Sequence, residues 1–217
     1  MAEKHPTARL LVEGIDDFHV VHAICNKFNI NAGSKEKPNG GKFSIENSGN
    51  YDKLLEQISV QLKSSPDFKT LGIVVDADEN SQNRWQSIKD KLKSVGFSNL
   101  KELPKEGLIV ENNDQKVGVW IMPNNDLGGM LEDFIAFLVP ENDALLVEVD
   151  THLCNIERKN INKYTPIHRS KARIHSWLAC QQEPGTPLGQ SITASYFKNI
   201  DHVTGQLFIT WLKNLFE

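Results

Sequence analysis

Residues 71–80 read LGIVVDADEN. The stretch from Leu71 to Val75 is apolar on both alternating sides. A strand of that kind must be covered on both faces, which is the condition of a parallel sheet flanked by helices. The run ends in Asp76 and Asp78, two positions apart. In an extended chain such positions face the same side, so their carboxylates repel unless something compensates them.

The segments on either side fit the same frame. ARLLVEG (8–14) reads as a strand ending at Glu13-Gly14, and residues 15–30 as a helix with Asp16 and Asp17 in its first turn, where the helix dipole favours acids. NAGSKEKPNGG (31–41) is a loop, and residues 42–47 a short strand. Residues 51–64 form an amphipathic helix through Leu54, Leu55, Ile58 and Leu62. A helix over 83–97 stops at Gly96, and 106–123 is a hairpin around NNDQK. Helices follow at 130–140, 142–157, 170–181 and 205–216, and no repeat is visible. Alternating strands and helices over 8–123 predict an α/β fold with a mainly parallel sheet flanked by helices. The chain divides into an α/β core over 1–140 and a helical C-terminal extension over 141–217 packed on it. Ligands of such sheets bind at the carboxyl ends of the strands, where both LLVEG and GIVVDAD place acids.

Composition excludes several classes. The 217 residues carry a formal net charge of −4, which argues against a whole-surface nucleic-acid binder but allows a local basic patch. The 3 cysteines, Cys25, Cys154 and Cys180, lack zinc-like spacing and read as reduced thiols of a cytoplasmic protein. The first residues, MAEKHPTARLL, contain no apolar signal core. No apolar span approaches the ~18 residues of a membrane helix.

Glu13, Asp17, Asp76 and Asp78 converge at one rim if their two strands are neighbours. Carboxylates facing one another call for a cation, and hard oxygen ligands select Mg²⁺ or Mn²⁺. Such ions organise phosphates for in-line attack. Other chemistries fail on their motifs. The first strand–helix turn, VEGIDDF, lacks the glycines of a dinucleotide site. A P-loop needs glycine at 36, which is Glu36, and Ser or Thr at 43, which is Phe43. No GxSxG is present. IVVDADEN matches the first half of a dehalogenase-type phosphatase motif, with Asp76 as nucleophile, but Asn80 stands where Thr or Val is expected and a strand precedes it.

LLVEG followed by IVVDAD resembles the Toprim domain, shared by topoisomerases, primases and nucleases of the overcoming-lysogenization-defect type. VEGIDD is similar to the E-G-x-x-[DE] form of those nucleases. The resemblance covers about residues 8–140, and with GVWIMPNND and GGMLEDFI the whole chain is similar to small stand-alone Toprim proteins. The resemblance implies Glu13 as general acid/base or metal ligand, Asp76 and Asp78 as Mg²⁺ ligands, and Asp17 as an additional ligand. It further implies an acid after a later strand, for which Glu132 is the best match and Asp133 the alternative. A lysine near the scissile phosphate is also implied, and Lys171 is the candidate. The DNA-handling domains of topoisomerases and the ATPase of the lysogenization-defect nucleases are absent, which implies a separate protein partner for targeting.

Arg158, Lys159, Lys163, Arg169, Lys171 and Arg173 lie in a stretch without Asp or Glu, a bias that suits phosphates. His168 and His175 are further donors there. The expected function is a metal-dependent nuclease acting on DNA or RNA. The alternative is a non-catalytic module that binds nucleic acid, a nucleotide or a protein through the 31–42 and NNDLGG loops.

Overall fold

The computed structural model describes residues 7–33, 37, 40–64 and 67–217. Much of the 31–42 loop proposed as a contact surface therefore lies outside the described residues. Strand β1 (Ala8–Val12) leads into α1 (Ile15–Lys27), then β2 (Ser44–Asn47), α2 (Tyr51–Ser64), β3 (Thr70–Asp76) and α3 (Ser81–Lys93). The hairpin β4 (Leu108–Asn112) and β5 (Gln115–Met122) turns at Asn113-Asp114. The helices α4 (Leu131–Phe137), α5 (Ala144–Arg158), α6 (Arg169–Ala179), α7 (Leu188–Thr193) and α8 (Val203–Phe216) complete the chain.

The five-stranded sheet has the order β2-β1-β3-β5-β4. β1, β2, β3 and β5 run parallel, and β4 is the antiparallel edge. The fold is therefore α/β with a mainly parallel sheet flanked by helices. Alternation along each strand splits the core. Leu11, Leu71, Ile73 and Val75 face α2 and α3, packing with Leu54, Ile58, Trp85 and Ile88. Leu10, Val12, Val74 and Trp120 face the opposite side, with α1 and the C-terminal helices.

The last 77 residues of the chain do not sit apart from this second core. Trp211, Leu212, Leu215 and Phe216 of α8 are buried against the sheet in the same cluster as β1. Gly72 and Gly118 make the contact possible: a Cβ on Gly72 would lie 2.9 Å from the Phe216 ring, and one on Gly118 2.5 Å from Leu215. Phe216 stacks on Phe43 with centroids 3.8 Å apart, and Trp211 Nε1 donates to the Leu108 carbonyl at 3.0 Å.

Most predicted elements are present with ends moved by a few residues. α1 stops at Lys27, and α3 begins at Ser81, where the Asn80 side chain accepts from Asn83 N. Helix α7 was not expected. Its six residues lack a long apolar period, and it forms against α1, so close that a Cβ on Gly189 would meet the His19 carbonyl at 2.7 Å.

Candidate metal and phosphate site

β1 and β3 are adjacent and in register, Val12 opposite Val74. Their carboxyl ends therefore bring Glu13 beside Asp76, whose backbone N–H donates to Glu13 Oε2 at 3.3 Å. Gly14 then turns the chain into α1, and its N–H donates to Asp17 Oδ2 at 3.0 Å. A Cβ at position 14 would sit 3.0 Å from that same oxygen, so a larger residue would push the carboxylate away. Here the Glu-Gly pair has a physical reason: it lets the first turn of α1 fold its acid back over the strand end.

Helix α4 supplies the next acid. Asp76 Oδ1 accepts from Leu131 N at 2.8 Å, which docks the start of α4 on the tip of β3. Glu132, the following residue, is buried at 2 % exposure and faces the same cavity. Asp133 does not. Its Oδ2 accepts from Met130 N at 2.9 Å, and its Oδ1 accepts from the Ser170 hydroxyl. That bond ties α6 to α4, and the next residue of α6, Lys171, places its Nζ 3.4 Å from Glu132 Oε1. His175, one turn on, stands 3.8 Å from the same oxygen.

The result is a cavity of about 320 Å³ lined by Glu13, Asp16, Asp17, Asp76 and Glu132, with Gly49, Asn50 and Lys171 closing it. Burial, with Glu13 and Glu132 nearby, pushes Asp17 up to about 7. Burial and the neighbouring Asp17, Glu13 and Glu132 carboxylates push Asp76 well above the usual carboxylate range. Burial raises Glu13 as well, opposed by the Asp76 N–H and the Arg84 charge. Glu132 goes the other way: burial raises it, but the His175 hydrogen bond and the Lys171 charge together bring it below its ordinary value.

One atom bears directly on what this cavity can accept. Asp17 Oδ1 is buried and has no hydrogen-bond partner. A buried, unpartnered carboxylate oxygen beside other carboxylates is costly unless a proton or a cation completes it. An all-oxygen donor set fits Mg²⁺ or Mn²⁺. Among the described residues, no group of three or more His, Cys, Asp or Glu stands in a formed coordination arrangement. Glu13, Asp17, Asp76 and Glu132 share the lining of one cavity.

Two sequence expectations need correction. Asp78 does not line this cavity. β3 ends at Asp76, and Asp78 takes a left-handed φ of +51°, bridged to Gly129 through reciprocal backbone bonds of 2.9 and 2.7 Å. The same-side rule for alternate residues holds only along an extended strand, and the strand has ended. The Asp78 carboxylate instead pairs with Arg84.

The basic stretch is also not a free surface throughout. Arg173 is held by both Asp150 oxygens at 2.8 Å, and Arg169 by Glu157 at 2.9 Å and Asp150 at 3.6 Å. Those acids come from α5, outside the acid-free segment. Arg158 bonds Asn155 at 2.6 Å on its own helix. Lys159 and Lys163 are exposed, and His168 bonds Thr165 at 3.1 Å.

Asp16 and Asn50 line the cavity, and the Arg84 charge reaches Glu13. Asp16 reads as a helix-start acid, and nothing in the sequence ties Arg84 to Asp78. The α/β sheet carries an acid-lined cavity at its carboxyl rim. Over residues 7–217 the sequence matches the family described as "Protein of unknown function (DUF3226)", and the chain belongs to that family. No curated protein and no solved structure matches it. No helix among the described residues is long and apolar enough to cross a membrane, and all three cysteines are free.

Proposed function

We propose that this protein is a Mg²⁺- or Mn²⁺-dependent phosphoryl-transfer enzyme of Toprim type, a nuclease acting on DNA or RNA phosphodiesters. The observation that carries the reading is the buried, unpartnered Asp17 Oδ1 in a cavity where Glu13, Asp76 and Glu132 also converge and a lysine stands at the edge. Glu13, Asp17, Asp76 and Glu132 are the residues that would hold the ion. Bound there, it would supply Lewis-acid stabilisation of phosphoryl oxygens and a more acidic water.

The chain's own groups do the rest. Lys171 is half exposed at the cavity edge, so its ammonium can meet a phosphate oxygen while remaining close to Glu132. Glu13 is only partly buried, which leaves its carboxylate accessible to take a proton from an attacking water. Asp17 and Asp76 are fixed by backbone N–H donors at 3.0 and 2.8 Å, so they present their remaining oxygens in set directions. A phosphatase with Asp76 as nucleophile fits less well, because Asp76 Oδ1 is engaged by Leu131 N.

A second reading has its own observation. The pairing of Asp78 with Arg84 and, among the described residues, the lack of a formed ligand group favour a non-catalytic module that binds nucleic acid, a nucleotide or a protein partner. The test is a panel of labelled single- and double-stranded DNA and RNA incubated with Mg²⁺ or Mn²⁺. The enzyme reading expects metal-dependent cleavage lost in Asp76→Asn. Ion binding without turnover on any member supports the binding module instead.

A further inference from the structure

Next to the acid cavity lies a second, larger groove of about 620 Å³. The two adjoin along the chain, Asp76 lining the first and Ala77 and Asp78 the second. One wall of the groove is α3, with Asn83, Arg84 and Ser87; Glu79, Asn80 and Ile167 also line it. Ile167 belongs to the short turn that leads directly into α6, the helix of Lys171. Both grooves therefore open between the β3 end and the start of α6.

Within this groove Arg84 is held in an unusual way. Its guanidinium carbon sits 3.7 Å from the centre of the Tyr51 ring, and one nitrogen pairs with Asp78 Oδ2. Tyr51 follows Gly49 and Asn50, which line the acid cavity. The ring fixes the plane of the guanidinium, while the carboxylate occupies part of its donor fork. The pair is partly exposed, with Arg84 at 20 % and Asp78 at 36 %, so it contributes little net stability. An exchange of the carboxylate for a phosphate keeps the same fork geometry. Asn83 and Ser87 are exposed and add polar groups along the same wall.

We propose that Arg84 is a phosphate-positioning residue: it binds a backbone phosphate of a nucleic-acid strand lying in this groove, next to the phosphodiester in the acid cavity. This rests on the phosphodiester reading given above and extends it to a strand-binding track along α3. Asp78 holds the guanidinium in place until a phosphate replaces it, and Tyr51 keeps it aimed throughout. Arg84 touches the flanking phosphate and not the reacting one, so its effect falls on strand affinity.

The experiment measures fluorescence anisotropy of a fluorescein-labelled single-stranded 20-mer, as DNA and as RNA. The full chain is titrated in Ca²⁺ over a series of KCl concentrations. Arg84→Gln is expected to weaken binding about tenfold and to lower the slope of log affinity against log salt by about 0.7, one phosphate contact on a single strand. Arg84→Lys should recover most of the slope but only part of the affinity, because it lacks the planar fork. Ser87→Asp, an exposed change that leaves Arg84 in place, should weaken binding by repulsion and keeps the test valid if Arg84→Gln folds poorly.

Wild-type affinity and slope retained in Arg84→Gln and Ser87→Asp overturn the proposal. If metal-dependent cleavage still requires Asp76, only the groove assignment has failed. No strand binding by the wild-type chain, together with no thermal shift from Mn²⁺, overturns both the groove and the phosphodiester reading.

Discussion

The acid cavity and the α5–α6 face treat charge in opposite ways. On the α5–α6 face both arginines of α6 have acids: Asp150 and Glu157 cross over to Arg169 and Arg173, and these charges cancel. In the cavity Glu13, Asp17 and Asp76 have no such partner, and only Glu132 is matched, by Lys171. Compensated charge of the first kind holds helices together. Uncompensated charge of the second kind costs stability in the free protein, and it is retained where a ligand can neutralise it. Local charge bias in a sequence thus does not show which charges are free until the partners from elsewhere in the chain are known.

The sharpest way to break this contrast is to neutralise the cavity. Asp76→Asn should reduce metal-dependent cleavage by on the order of 10²-fold or more. It should also raise the melting temperature of the ion-free protein at neutral pH, because it removes a carboxyl that burial and its acidic neighbours make costly to hold. A variant that cleaves as wild type does would remove Asp76 from the site.

The cavity also sets a pH dependence. Asp17 titrates near 3.8 when unfolded and at about 7 when folded. Between those values the folded state holds the extra proton, so its stabilisation is complete below pH ~4 and is lost as pH rises through ~7, at up to about 1.4 kcal/mol per unit. Urea denaturation of the ion-free chain should show stability falling across that window. Asp17→Asn should flatten the slope, and an unchanged slope would put the titrating group elsewhere.

On the α5–α6 face the expected effect is smaller and of another kind. Asp150→Ala leaves Arg173 and Arg169 without their shared carboxylate and should cost about 1 kcal/mol in denaturant unfolding, with cleavage unchanged. A loss of cleavage larger than the loss of stability would make this face part of the site after all. Smallest of all, Lys159→Ala combined with Lys163→Ala should change stability by less than about 0.5 kcal/mol, because both side chains are exposed. Salt-dependent oligonucleotide binding by that double variant tests whether these two lysines reach a strand.

Much of this architecture was legible in the residues. The apolar runs at 8–12 and 71–75 could be strands only in a covered parallel sheet, and the acids closing them fall at the rim where the register Val12–Val74 puts them. Glu132 and Lys171 came from the resemblance alone, and the chain of bonds Asp76–Leu131, Asp133–Ser170 and Lys171–Glu132 supplies the contact that no local pattern contained. The position of Asp78 outside the acid cavity is not legible locally, because where a strand ends depends on tertiary bonding, here the bridge to Gly129. The ion pairs of Arg169 and Arg173 are not legible in the basic segment because their partners precede them on a different helix. Helix α7 was missed because its formation rests on packing against α1 rather than on its own period.

The central claim is that the acids of β1, α1, β3 and α4 form one divalent-cation site. Anomalous diffraction from crystals soaked in Mn²⁺ tests it most directly. The expected result is a Mn²⁺ peak in the cavity within coordination distance, about 2.0–2.3 Å, of Asp76 and of at least one of Glu13, Asp17 and Glu132. A cavity without a peak at saturating Mn²⁺, or a peak held by Asp78 away from Asp76, would contradict it.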